Sequence, residues 1–256
     1  MKRSQSLKLG LGFYAGVFWG AREETPEALA ARWLELIERL QAVDPIFEHW
    51  YRWGSGRRPL PFDTEIAPLA EKIAANVTTD DFEEPEPEQG YQLFAYNTAV
   101  GWSPRRFEAH MYGGSSFWWP ANMIGIGTDY GVVPDPDIVT YKIFRGALLA
   151  LAETFEAVVG SAYPTSLIDL WPADRRGYLA LKLAWISYVG PRFAHLITPP
   201  ASAIVERRPD GGLLMAATEE TFDINNPAHL AVAREIDAAV APFNALRYPE
   251  NETTSA

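Results

Sequence analysis

No cysteine occurs among the 256 residues. A disulfide frame, a zinc–thiolate site and a thiol nucleophile are therefore excluded, and nothing calls for an oxidising compartment, so a reducing cytoplasm is the expected location. Histidine is scarce too. His49, His110, His195 and His229 are scattered, and none sits with a second ligand at the spacings metal sites use, so neither a metal nor another cofactor is expected. No apolar run approaches the ~18 residues of a membrane helix. The first dozen residues have a basic tip, but Lys8 and two glycines interrupt their apolar part, which does not fit a signal peptide. Basic residues are the minority, 22 against 33 acidic ones, for a net charge of -11. Such a field repels nucleic acid and anionic membranes and attracts basic partners, so no direct nucleic-acid or membrane partner is expected. An acidic balance also serves solubility alone, and net charge leaves both roles open.

What is present is material for a core. The composition is 48% hydrophobic and 13% aromatic, with nine tryptophans, and a chain this long buries about three quarters of its unfolded surface. Residues 7 to 25 form an apolar run punctuated by glycine that ends in charge before Pro26. Within it Leu9, Leu11 and Phe13 alternate with Lys8, Gly10 and Gly12, which predicts a strand over 8–13. Thr25 as cap, Pro26 and an apolar stripe from Leu29 to Leu40 predict a helix over 26–42, and Asp44-Pro45 starts a short helical piece with core aromatics. A loop over 54–61 and a short helix over 65–75 follow. Strands are expected over 91–99, 106–112 and 123–128, the first two joined by Gly101-Trp-Ser-Pro. The strongest helix falls within 138–159, with Gly160 as its stop, while the strand or helix identity of 163–188 stays open. A hairpin around Pro209-Asp-Gly-Gly, a helix capped by Asn226-Pro227 and a disordered polar tail over 249–256 complete the reading. These elements predict an α+β fold, a mainly antiparallel sheet packed with helices, in one domain spanning 1–248.

Two stretches stand out as exposed candidates for binding. Asp80, Asp81, Glu83, Glu84, Glu86 and Glu88 crowd into a segment with two prolines that should stay extended and exposed, either as a solvated spacer or as a contact surface for a basic partner. The loop Phe117-Trp118-Trp119-Pro120 offers Trp118 and Trp119 as interface anchors, or as core. Catalytic signals are weak. Gly113-Gly-Ser-Ser lacks the nucleophile elbow, and the glycines from Gly125 onward lack nucleotide-loop spacing. His110 beside Glu108 is the one acid/base pair, and it supports a hydrolase alternative only if a serine converges on it.

Tyr14, Gly16, Phe18, Trp19, Gly20, Arg22, Glu24 and Thr25 resemble the signature Tyr-x-Gly-x-aromatic-Trp-Gly-x-Arg-x-Glu-Ser/Thr of the immunity protein 52 family, and the likeness continues in Asp44-Pro45-x-Phe47-x-x-Trp50, Asp210-Gly-Gly and Asn226-Pro-x-His229. The resemblance implies an antitoxin of a bacterial polymorphic toxin system, often linked to type VI secretion, that binds a cognate toxin and is not an enzyme. The toxins it implies are nucleases of the restriction-endonuclease type, whose DNA clefts are basic and suit an acidic inhibitor. Tyr14, Gly16, Trp19, Gly20, Arg22 and Glu24 are expected to serve structure more than contact. A homodimer, or a structural partner of a secretion apparatus, remains open at this point.

Overall fold

The computed structural model describes residues 12–54, 58–117, 122–129, 131–171 and 180–246. In chain order the elements are β1 (Phe13–Phe18), α1 (Pro26–Val43), β2 (Tyr51–Trp53), β3 (Pro59–Pro61), α2 (Ile66–Ala74), β4 (Tyr91–Tyr96), β5 (Phe107–Gly113), β6 (Met123–Thr128), α3 (Tyr141–Phe155), β7 (Val159–Pro164), β8 (Ile186–Val189), α4 (Pro191–Ala194), β9 (Ile204–Arg207), β10 (Leu213–Ala216), α5 (Pro227–Ala239) and α6 (Ala241–Asn244). Among the described residues ten strands join in one sheet, in the order β3-β2-β4-β5-β6-β1-β7-β8-β10-β9, with every pairing antiparallel. One continuous sheet with its helices makes a single α+β domain, as the sequence predicts.

The period of two sorts the central strands into two faces. Ala15, Val17, Phe107, Ala109, Met111, Ile124 and Ile126 are buried on the face that meets α1, α2 and α3. Helix α1 begins as its sequence dictates: the Thr25 hydroxyl accepts from the Ala28 amide and Pro26 occupies the first turn. It buries Leu29, Trp33, Leu36 and Leu40, and each fully buried large apolar side chain contributes about 1.5–3 kcal/mol. At the far end α5 packs on β10. Charge ties α3 to β9: Glu206 pairs with Arg145 and Arg208, and Glu153 pairs with Arg39 and Arg208. No helix among the described residues is long and apolar enough to cross a membrane.

Several expectations need correction. The strand expected over 8–13 falls almost wholly outside the described residues, which begin at 12; the first described strand runs over Phe13–Phe18. The alternation continues through Ala15 and Val17, and pairing with β6 and β7 selects this register. The loop expected over 54–61 contains strand β3, which among the described residues pairs with β2 alone, at the sheet edge, where its prolines remove no needed donor. Helix α3 stops before Gly160: Glu156 takes the left-handed conformation at φ 53 as its cap. Gly160 instead lies in β7 opposite Val17, where an added Cβ would come within 2.7 Å of a valine methyl. The open stretch 163–188 holds the end of β7, a 3-10 turn over Thr165–Leu170 and β8; 172–179 and the polar tail over 249–256 lie outside the described residues.

Candidate functional site

Chain entry and helix α3 are locked together by the signature residues. Trp19 is 2% exposed and stacks on Phe155 with centroids 4.6 Å apart. Arg22 pairs with Glu156 at 2.7 Å and donates to the Phe155 carbonyl at 3.3 Å. Glu24, whose side chain is 7% exposed, lies 3.0 Å from Arg22 Nε and accepts from Arg32 Nε at 2.7 Å. Arg32 also donates to the Thr154 carbonyl, so two arginines cover the carbonyl end of α3, the favourable site for cations on a helix. The Gly20 carbonyl accepts from Asn122 Nδ2. Tyr14 lies over the glycines of the neighbouring strand positions: a Cβ on Gly125 would fall 1.8 Å from its hydroxyl, and one on Gly16 would fall 2.6 Å from its ring. These side chains are engaged within the fold.

The acidic segment is a folded turn rather than the extended loop its composition predicts. Asp80 Oδ1 accepts from the amides of Phe82 and Glu84, at 2.8 and 2.9 Å, the local capping that aspartate favours. Thr79 bridges Pro85, and Glu83 sits at φ 66. Asp81, Glu83, Glu84 and Glu88 are exposed, and Asp80 and Glu86 are half-buried. Phe82, at the tip, is 85% exposed. The Glu88 carbonyl accepts from the Ser116 amide at 3.0 Å and from the Ser115 hydroxyl at 3.3 Å. The acidic turn therefore adjoins the aromatic loop, where Phe117 is 48% exposed; Trp118 and Trp119 lie outside the described residues. The Arg22 amide donates to the Ser115 carbonyl, so the signature turn reaches the same end of the sheet. It brings exposed Glu23 and Glu27. The Tyr91 phenol registers them: its pKa is raised by burial first and then by the charges of Glu23 and Glu27. The sequence does not show Glu23 and Glu27 beside this turn, because the sheet rather than the chain brings them there, nor Phe82 at its tip, which the Asp80 hydrogen bonds set.

His110 and Glu108 project from β5 on the face opposite α1 and α3. The imidazole stacks on Phe94 at 4.0 Å with 14° between planes and meets Tyr112 edge-on at 4.4 Å. Burial lowers its pKa to about 4, so it is neutral at physiological pH. Burial also raises Glu108, against the opposing charge of Arg106. The serine needed for a hydrolase does not converge: the Ser115 and Ser116 hydroxyls both donate to the Glu88 carbonyl, and His110 Nε2 has no hydrogen-bond partner among the described residues. No cluster of three metal-ligating side chains occurs among the described residues.

The model of the family Immunity protein 52 matches residues 12–246. The chain belongs to the immunity protein 52 family. Among solved structures, the Pseudomonas aeruginosa T6SS protein PA0821 shares its fold at a TM-score of 0.52 and 14% identity, over 93% of this chain and 76% of that one. No curated protein matches the sequence. As a family member the chain is an immunity protein, whose task is to bind a cognate toxin.

Proposed function

We propose that this immunity 52 protein acts in the cytoplasm of the toxin-producing bacterium, without catalysis, by capping a secreted nuclease toxin of the restriction-endonuclease type. The supporting observation is an acidic end of the molecule, where the folded turn over 80–88, Glu23 and Glu27 converge beside exposed Phe82 and Phe117. Carboxylates held in this way take the place of phosphates in a basic DNA cleft, and the field of a chain with net charge -11 speeds encounter with it. The structural neighbour is a type VI secretion system protein, which suits a toxin delivered between cells.

Co-expression with the cognate toxin, taken from the adjacent gene, tests this reading. Cells survive and a complex is recovered if it holds; toxin lethality without any complex overturns it. The acidic turn has its own test. Replacing Asp80, Asp81, Glu83 and Glu84 with lysine moves the net charge by eight, from -11 to -3, and slows association at low salt by roughly tenfold or more. An unchanged rate removes the turn from the interface.

A further inference from the structure

The sheet has a second surface that the acidic turn does not explain. On the face opposite α1 and α3, alternate residues of β4 and β5 are Gln92, Phe94, Tyr96, Glu108, His110 and Tyr112, and each is at least partly exposed. Phe94 is 39% exposed on a strand that pairs along its length with β5 and with β2 at Tyr96. Phe94, His110 and Tyr112 touch one another on this face, and a contiguous aromatic surface, unlike a lone exposed ring, marks a contact site. The rings also hold one another in place. Phe94 pairs in register with His110, and His110 with Gly125, so the stacked rings stand as a ridge beside the Tyr14 ring, which lies over Gly125. Rigid aromatic groups of this kind lose little conformational freedom on binding.

We propose that this ridge, centred on Phe94, His110 and Tyr112, is the apolar centre of the toxin interface, with the acidic turn as its polar rim. The inference rests on the toxin-binding reading above and adds the surface that supplies most of the affinity.

Three observations commit the face to a basic toxin domain. The acidic turn joins the ridge directly, since β4 begins at Tyr91, three residues beyond Glu88, and β5 ends at Gly113, just before the serines that donate to Glu88. An apolar centre within a charged rim is the usual anatomy of a specific interface. The face already accepts a guanidinium: Arg106 lies 4.2 Å from the Tyr96 ring centroid, so arginines from a nuclease cleft would find the same kind of platform. His110 adds no positive charge at the centre, because burial keeps it neutral at physiological pH, and the charge of Arg106 beside it is offset by Glu108 and Asp129.

The test uses the full chain and its cognate toxin. The paired substitution F94A/Y112A, checked for cooperative unfolding, is compared with wild type by surface binding kinetics at low and high salt. The expected result is a koff faster by about 10–100-fold, with kon and its salt dependence nearly unchanged, as for central anchors. The single substitution F94K, at an exposed position, serves as a second variant and places a cation against a basic partner; it weakens binding similarly. Wild-type binding matched by both folded variants overturns this inference and leaves the immunity reading standing. A wild-type protein that does not bind the toxin overturns that reading and the inference with it. A dimer in sedimentation that F94K converts to monomers assigns the ridge to a second copy of this chain and overturns the toxin assignment.

Discussion

Replacing Glu24 with glutamine is expected to destabilise the protein far more than the same change at Glu35, because only Glu24 is enclosed. Its carboxylate is 7% exposed and lies 3.0 Å from one guanidinium and 2.7 Å from another, whose side chains are 28% and 26% exposed. Once it is neutralised, two neighbouring arginines share only Glu156, whose side chain is 67% exposed. Breaking a fully buried pair costs about 3–5 kcal/mol and an exposed pair at most about 1 kcal/mol. This half-enclosed cluster falls between, at about 2–3 kcal/mol. The Arg39–Glu35 pair, 40% and 48% exposed at i,i+4, contributes only about 0.3–0.5 kcal/mol. Urea unfolding followed by circular dichroism measures both variants at constant m-value. In thermal unfolding E24Q should lower Tm by roughly 4–10 °C and E35Q by about 2 °C at most. Equal midpoints for the two variants would refute the assignment of the signature to fold stability, as would an E24Q protein of full stability that has lost toxin binding.

Three further outcomes follow from particular contacts. Gly125→Ala should cost about 1–3 kcal/mol by displacing the Tyr14 ring; in a double-mutant cycle with Tyr14→Ala that cost should vanish, and additive costs would contradict the close approach. His110 has a folded pKa near 4 against an ordinary 6.5, so between those values the unfolded chain binds more protons and stability falls as pH drops; His110→Phe should flatten this part of the wild-type profile, and an unchanged slope would deny the burial. Burial pushes the Glu206 carboxyl up, but hydrogen bonds from Arg145 and Arg208 overcome it and hold the pKa below its ordinary value. Its stabilising effect is therefore present above pH 4.5 and lost as pH falls below. The stability gap between wild type and Arg145→Met should accordingly close in acid, and a gap independent of pH would argue against this charge pairing.

Elements whose signals are local were legible in the sequence. Thr25-Pro26 starts α1, and Asp210-Gly-Gly closes the hairpin of β9 and β10, because cap and turn chemistry acts over a few residues. Signals that depend on distant partners were not. The alternation around Phe13 extends in both directions, and it is pairing with β6 and β7 that marks 13–18 as strand. Glu156 replaces the expected glycine as the cap of α3, beside Arg22 and Arg32, which lie more than a hundred residues away. Charge density made the acidic segment readable as exposed, but the Asp80 turn that raises Phe82 to its tip depends on side-chain geometry. The Phe94–His110 ridge joins two residues that alternation places on the same face but that only strand register brings into contact.

Titrating the purified protein into a DNA-degradation assay of its cognate toxin tests the central claim most directly. The acidic-cap account predicts that cleavage stops as the complex forms, and that the charge-reversed turn needs more protein or longer incubation at low salt to achieve it. A toxin that binds the protein tightly yet degrades DNA undiminished, or one that kills by a chemistry other than nucleic-acid cleavage, would contradict it.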